Sequence, residues 1–355
     1  MEDKSCVFNY EMMVEKMENY KIDFVIPWVN GGDLEWQKEK EKYWIKEGNT
    51  PFLDGNQASR FRDWDNLRYW FRGVEKFTPW VNKIYFVTCG HIPEWLNTHH
   101  PKLEVINHKD YIPKEYLPVF QANPIELNFH RITSLEEHFV YFNDDMFVIS
   151  PMEKKDFFVN GLPREMATMY LLTNDGKEDT FQYMLFRMMG EVNQQFDLHD
   201  SIKKNPFKWF NPIYKKYLLN NFLLYRFHNV SGLYTPHVPS SLRKSTMMEV
   251  WENISNSMVE TCKHRFRNPR DITQYIFRYW EIMKGTFTPT NIMDYSEEFF
   301  LDESNIDYLV ESITKQKYKM ICINDSISIK NFEQLKNQVI GAFETILMSK
   351  SEYER

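Results

Sequence analysis

The sequence predicts an α/β protein: a mostly parallel sheet flanked by helices, with a mainly helical insertion in the second half. Three observations carry that expectation. Short apolar runs, Ile22 to Val29, Lys83 to Thr88, Leu103 to Ile106 and Phe139 to Phe142, alternate with helical patterns through about the first 150 residues, as βαβ units do. Within His130 to Ile149, the run Phe139-Val140-Tyr141-Phe142 ends in Asn143-Asp144-Asp145 before apolar residues resume at Met146, the pattern of a buried strand closing on a carboxylate pair. After Pro151 the pattern turns to helices and loops until a last strand, Tyr318 to Ile323.

Composition sets the limits. With 355 residues and 43% hydrophobic content, the chain can bury a sizeable core in one or two domains. The net charge of -7 provides no general basic field, which argues against nucleic acid as a partner. Aromatic content is 16%, suited to deep packing and to stacking on rings. No secretory segment opens the sequence and no apolar run approaches about 18 residues. The expectation is a protein of the cytoplasmic side, soluble or peripheral at the membrane. Cys6, Cys89, Cys262 and Cys322 form no CxxC pair and read as small core residues in a reducing compartment.

Taken in order, residues 1 to 20 are an N-terminal extension with a short amphipathic helix over Glu11 to Tyr20. The first strand, Ile22 to Val29, carries Pro27, which cannot donate to a ladder and marks an end or an edge. Asn30-Gly31-Gly32-Asp33 follows, with Asp33 placed to cap a helix over Leu34 to Lys46. That turn suits an anion or a nucleotide, and equally an ordinary βα loop. Residues 48 to 60 lack periodicity and read as a connector, or as a lid over the site. Leu67, Trp70, Phe71, Val74 and Phe77 then form one apolar helical stripe. Arg60, Arg62, Arg68 and Arg72 accompany it, either as a solvated face with acidic partners or as phosphate donors near a helix start.

Further on, a short turn at Ile92 to Leu96, an irregular stretch over Glu115 to Asn128 and a helix over Asn128 to His138 lead into the carboxylate strand. In the second half helices are expected at Phe181 to Met189, Met247 to His264, Ile272 to Met283 and Asn331 to Met348. Phe207 to Phe227 combines aromatics with Lys208, Lys215, Lys216 and Arg226. It reads as a packed helix, or as a face for an anionic membrane or a lipid-linked substrate. Tyr234-Thr235-Pro236-His237-Val238-Pro239 holds a histidine in a stiff loop, where a structural role and an acid or base role are both open. In a parallel sheet, Asn30 to Asp33, Gly90 to His91 and Asn143 to Asp145 share one edge. Asp144 and Asp145 repel each other there and call for a divalent metal or arginines nearby, unless the stretch is a plain polar turn between two strands. The expected organisation is a single catalytic domain over 21–355, made of an α/β half over 21–150, a mainly helical region over 151–317, and a closing strand and helix over 318–355.

These pieces together resemble the Stealth family of sugar-phosphate transferases, which includes bacterial capsule and exopolysaccharide phosphotransferases and the lysosomal-enzyme N-acetylglucosamine-1-phosphotransferase. Ile22-Asp23-Phe24-Val25-Ile26-Pro27-Trp28-Val29-Asn30-Gly31-Gly32-Asp33 is similar to the family's first conserved region. Arg60-Phe61-Arg62-Asp63 through Leu67-Arg68-Tyr69, the Trp80 to Leu96 block, His130-Arg131-Ile132 and Tyr141-Phe142-Asn143-Asp144-Asp145 are similar to the second. Thr235-Pro236-His237-Val238-Pro239 resembles the third and Cys322-Ile323-Asn324-Asp325 the fourth. Pro27 departs from the Thr common there, Trp64 and Trp70 occupy variable positions, and Ser326 follows where an acidic or amide residue is frequent.

The resemblance implies a Rossmann-like fold of the nucleotide-sugar transferase type. It implies transfer of a hexose-1-phosphate, often N-acetylated, from a UDP-sugar to a hydroxyl of a saccharide acceptor, lipid-linked or free, in capsule or exopolysaccharide synthesis. UMP is released and Mg²⁺ or Mn²⁺ is needed. Carried onto this sequence, Asp145 and His237 are the catalytic pair, with either as the base, and Arg267 joins them. Asn324, Asp325 and Asp144 are the metal ligands. Arg62 and Arg131, with Arg267, clamp phosphate, and Asp23, Trp28, Asn30, Gly31 and Asp33 line the nucleotide pocket. Two rivals remain: a metal-dependent glycosyltransferase that releases UDP, and a non-catalytic carbohydrate-binding protein.

Overall fold

The computed structural model describes residues 20–48, 63–173, 180–325 and 329–355. The expected N-terminal helix apart from Tyr20, Cys6, Arg60, Arg62, Ser326 and nearly all of the 48–60 connector lie outside them. The central sheet has strand order β3-β2-β1-β4-β8. β1 (Ile22–Pro27), β2 (Ile84–Thr88), β3 (Leu103–Asn107) and β4 (His138–Tyr141) run parallel, and β8 (Ser240–Arg243) adds an antiparallel edge. Val25 pairs with Tyr85 on one side and Tyr141 on the other.

Strands this apolar are covered on both faces. Val25, Tyr85, Val87, Phe139 and Tyr141 turn to one core, shared with the helical segment that includes Thr180–Gln195, Lys244–Asn253 and Tyr275–Lys284. Phe24, Ile26, Ile84, Phe86, Val140 and Phe142 turn to a second core, the period-2 alternation of a strand sorting residues between layers. Over that second face lie the helices Leu67–Phe77, Ile306–Thr314 and Phe332–Ile346 and a small sheet of order β10-β11-β5. In it β10 (Ser296–Leu301) runs parallel to β11 (Met320–Asp325), and β5 (Met146–Val148) runs antiparallel to β11. A third small sheet joins β6 (Phe158–Val159), β7 (Leu162–Glu165) and β9 (Thr288–Pro289).

The local signals resolve as their chemistry dictates. Asp33 caps the helix Leu34–Glu47, accepting from Trp36 N at 2.7 Å. The stripe Leu67, Trp70, Phe71, Val74 and Phe77 is buried. Arg72, expected on the outer face of that helix, is buried instead: Nε and Nη2 bind Glu354 at 2.6 and 2.8 Å and Nη1 reaches Leu347 O at 3.0 Å. That pairing uses the guanidinium to tie the C-terminal segment to the helix and leaves it unfit for phosphate.

Several expectations give way. Asn128 to His138 is a single 3₁₀ turn, Phe129–Arg131, followed by irregular chain. Side chains from elsewhere take its backbone groups: Tyr85 Oη donates to Ser134 O at 2.5 Å, Lys244 Nζ to Ile132 O at 2.7 Å, and Glu136 N gives its hydrogen to Asp23. Residues 122–127, read as irregular, form a short helix. Phe207 to Phe227 is no continuous helix but turns at Pro206–Trp209 and Pro212–Tyr217 followed by the helix Leu218–Leu224. Pro212 and the positive φ of Lys215 (52°) break it. β8 and β10 are too polar to announce themselves as strands.

Gly73 fixes how closely the helix Leu67–Phe77 approaches the small sheet, because a Cβ there would lie 2.5 Å from Val148 O. Helix propensity alone would make Gly73→Ala stabilising by about 1 kcal/mol. The expected outcome is instead a loss of about 1–3 kcal/mol from overpacking, measured by urea unfolding.

Candidate active site

The order 3-2-1-4 places a crossover point between β1 and β4, and in open α/β sheets ligands bind outside the carboxyl ends of the strands at such a point. The turn Asn143-Asp144-Asp145 leaves β4 there. It also joins two sheets, since β4 belongs to the large one and β5 to the small one. Phe142 N is fixed to Val25 O at 2.9 Å and Asp145 O accepts from Ile323 N at 2.8 Å.

His237 reaches the same place because β8 runs back along β4 with Ser240 opposite Tyr141. Its Nε2 lies 3.8 Å from Asp145 Oδ2 and 3.1 Å from Asn143 Nδ2. Its Nδ1 is 2.7 Å from Tyr275 Oη. Burial holds the Tyr275 phenol well above its ordinary range, so it keeps its proton. The loop is clamped from below: Arg278, fully buried, binds Glu165 with Nε and Nη2 at 2.7 and 2.8 Å. Its Nη1 approaches Pro236 O and Ser240 Oγ, on either side of His237, at 3.5 Å each. Asn143 is itself oriented, because Tyr141 Oη lies between Asn143 Oδ1 and Glu126 Oε1. Glu126 is buried; desolvation raises its pKa, which its bond to Tyr141 and the charge of Arg267 partly offset. Arg267 is half-buried, and its charge favours the ionised Glu126 carboxylate.

From the other side β11 delivers Cys322 and Asn324. Atoms of Asp145, His237 and Cys322 lie within 4.8 Å of one another. Burial and then the Asp145 charge push the Cys322 thiol well above its ordinary range, so it remains protonated and forms a wall. Asn324 Nδ2 donates to Glu298 Oε1 at 2.8 Å, and Glu298 Oε2 accepts from His237 N at 3.4 Å. Desolvation raises Glu298, with Asp145 adding to the rise. Asp144 is open to solvent, yet the protein crowded around its carboxyl, followed by the charge of Asp145, pushes it up to about 7. Asp325 accepts from Trp64 Nε1 at 3.4 Å. Among the described residues, the three-residue group whose ligand atoms converge is Asp145, His237 and Cys322, and no three of Asp144, Asp145, Glu298 and Asp325 approach one another that closely; the carboxylate and amide oxygens of this edge are nonetheless of the hard type that suits Mg²⁺ or Mn²⁺.

At the carboxyl ends of β1 and β2 the turn Asn30 to Asp33 lies beside His91. Asn30 N donates to His91 Nδ1 at 3.0 Å, and His91 Nε2 is 3.8 Å from Asp33 Oδ1. Half-buried Trp28 lies between the Phe86 ring at 5.8 Å and the His91 ring at 6.5 Å. Gly31 O accepts from Gln37 Nε2 at 2.6 Å. The left-handed glycine of this edge is Gly90, with φ of 124°.

Two expected site residues lie elsewhere. Asp23 sits at the amino end of β1, fully buried, accepting from Asn82 Nδ2, Lys83 N and Glu136 N at 2.7, 3.1 and 2.9 Å. It locks the entry of three strands, at the end of the sheet away from Asn30 and Asp145. Arg131 belongs to the segment that enters the amino end of β4, with its guanidinium 5.0 Å over Trp251 and Nε on Asn128 Oδ1 at 2.8 Å. Parallel strands put both at the edge opposite Asp145. Sequence reasoning gave no site role to Glu298, Tyr275, Glu126, His91 or Cys322. Glu298 stands in Ser-Glu-Glu-Phe-Phe, where no periodicity separates an inward carboxylate from an outward one.

The profile of Stealth protein CR2, conserved region 2, matches residues 60–165, and that of Stealth protein CR1, conserved region 1, matches residues 20–46. The capsular polysaccharide phosphotransferase WcwK of Streptococcus pneumoniae is 39% identical over 94% of this chain and 98% of its own length. The receptor polysaccharide phosphotransferase WefC of Streptococcus oralis is 39% identical over 94% of this chain and 99% of its own. An exopolysaccharide phosphotransferase of Lactiplantibacillus plantarum is 35% identical, with 95% and 97% covered. Among solved structures, the apo bifunctional glycosyltransferase WbbM aligns with 93% of this chain and 52% of its own at 11% identity, with a TM-score of 0.37, too distant to bear on fold or chemistry.

The clamp beneath His237 is testable without any assay of activity. Glu165→Gln strands a buried guanidinium and should cost about 3–5 kcal/mol in denaturant unfolding, whereas Glu165→Leu combined with Arg278→Met should recover most of that loss.

Proposed function

The chain belongs to the Stealth family of polysaccharide phosphotransferases, and from that premise we propose that it transfers a hexose-1-phosphate from a UDP-sugar to a saccharide hydroxyl and releases UMP. The observation that carries this reading is the 3.8 Å approach of Asp145 to His237 at the crossover edge of a parallel sheet. In the proposed reaction the acceptor oxygen forms a bond to the sugar-bearing phosphorus. The bond from that phosphorus to the bridging oxygen breaks, and UMP leaves with the electron pair. The acceptor proton passes to His237 Nε2, the nitrogen that faces Asp145 and Asn143 while Nδ1 is engaged by Tyr275. Imidazole suits proton exchange near neutral pH.

Asn324, Asp325 and Asp144 are the proposed ligands of Mg²⁺ or Mn²⁺, which when bound supplies neutralisation of the diphosphate charge. The repulsion between Asp144 and Asp145 supports that assignment, because a bound cation relieves it. Glu298 orients Asn324 and the His237 backbone, and Asp145 turns its carboxylate toward Nε2. Trp28, Asn30, Gly31 and Asp33 are the proposed nucleotide recess. Arg267, with Arg62 outside the described residues, is the proposed phosphate clamp.

Assayed with a panel of UDP-sugars and a saccharide acceptor, the protein should release UMP and leave a phosphodiester; UDP as the only nucleotide product would remove the proposal. Asp145→Asn and His237→Ala should each lower kcat on the order of 10²–10⁴-fold, with circular dichroism unchanged. Tyr275→Phe should lower it about 10- to 100-fold through loss of imidazole orientation, with little change in KM. Chelation should abolish turnover and added Mg²⁺ restore it; full activity after exhaustive chelation excludes the cation.

A further inference from the structure

Between Asp200 and Glu249 the chain carries no acidic residue, in a protein with 50 Asp and Glu. The first part of that gap holds Lys203, Lys204, Lys208, Lys215, Lys216 and Arg226. Lys208 turns inward to Gly285 O and Phe287 O, and Lys215 pairs with Asp294. Lys203, Lys204, Lys216 and Arg226 remain exposed.

The same segment exposes large apolar side chains. Phe207 is 86% exposed, Leu219 and Phe222 60% each, and Leu223 57%. Leu219, Phe222 and Leu223 share one face of the helix Leu218–Leu224, and the Phe210 ring packs 4.8 Å from Phe222 and 5.9 Å from Tyr225. The patch rests on a rigid base. Asn221, fully buried, accepts from Met169 N at 2.7 Å and donates to Ala167 O and Trp209 O at 2.7 and 2.6 Å. Exposed Phe and Leu are therefore presented outward, where water makes them costly.

We propose that residues 203–227 form a docking face for an anionic lipid bilayer. Aromatic and aliphatic side chains enter the headgroup boundary while Lys and Arg meet lipid phosphates, the combination that holds peripheral proteins to such surfaces. A soluble polyanion would use the cations and leave Phe207 and Phe222 in water. Among the described residues no helix is long and apolar enough to cross a membrane, so contact is with the surface. The face adjoins the His237 loop through Tyr217, whose ring stacks on Tyr234 at 5.4 Å. Presentation of a lipid-linked acceptor to that loop rests on the proposed reaction; binding of the bilayer does not.

The test is co-sedimentation of the full chain with vesicles of phosphatidylcholine alone or with phosphatidylglycerol added. Binding should require phosphatidylglycerol and weaken with salt. The triple variant Lys203→Gln, Lys204→Gln, Arg226→Gln should lower the partition coefficient about 100-fold, and Phe207→Ser with Phe222→Ser more than about tenfold. Both should keep the parent's thermal transition. Equal binding to neutral vesicles, no binding at all, or full binding by either variant overturns the proposal. So does capture of dextran sulfate, unaffected by the Phe variants, in place of vesicles. UMP release with a soluble acceptor, measured in parallel, separates the two ideas: its absence with vesicle binding intact sinks the reaction and spares the face.

Discussion

The tether at Asn143-Asp144-Asp145 governs this architecture. One short turn ends a central strand of the large sheet and starts an edge strand of the small one, so its backbone is held by Val25 from one side and Ile323 from the other. Because both sheets grip it, elements distant in sequence meet there: β8 carries in the His237 loop and β11 carries in Cys322 and Asn324. A turn anchored at one end only would leave two adjacent carboxylates free to swing apart and into water. Anchored at both, it keeps the two like charges side by side, with Asp145 half-buried beside His237 and Asp144 facing solvent.

That cost is met by a graded set of polar partners. Farthest in, the buried Arg278–Glu165 pair satisfies both charges completely and holds the backbone flanking His237. Next, Tyr275, Asn143, Tyr141 and Glu126 form a hydrogen-bonded chain behind the imidazole, in which each group depends on its neighbour for orientation. At the mouth, the charge of Asp145 raises both Asp144 and Glu298, and Asp325 meets the Trp64 indole. The balance thus moves from fully paired charge in the interior to an excess of negative charge at the surface of the site.

The molecule divides its charge in space as well. Its acidic residues are numerous overall, yet the segment that carries Phe207, Phe222 and Arg226 has none, and this basic apolar face is joined to the His237 loop by stacked tyrosines. An acid-lined edge and a cationic apolar face attract different ligands.

Much of this was legible in the sequence because it is written in local periodicity. The four parallel strands, the apolar stripe of Leu67–Phe77, the Asp33 cap and the closing strand with its C-terminal helix all follow from runs and spacings that a short window contains. The sharing of one edge by Asn30, His91 and Asp145 follows as well, since parallel strands leave no other place for their carboxyl ends. Where window-scale signals failed, distant side chains had intervened: Tyr85, Lys244 and Asp23 claim the backbone of residues 132–136, and Arg72 turns inward for Glu354. Asp23 and Arg131 belong to conspicuous sequence blocks but lie at the opposite end of the sheet. Glu298, Tyr275 and Glu126 carry no local mark, and they gain meaning only from what β10 and the helices set against His237 and Asn143. The sequence by itself determined the elements and the edge on which a site would form; the tertiary structure decided which polar side chains face one another there, because hydrogen bonds and charge interactions act over a few ångströms of space regardless of separation along the chain.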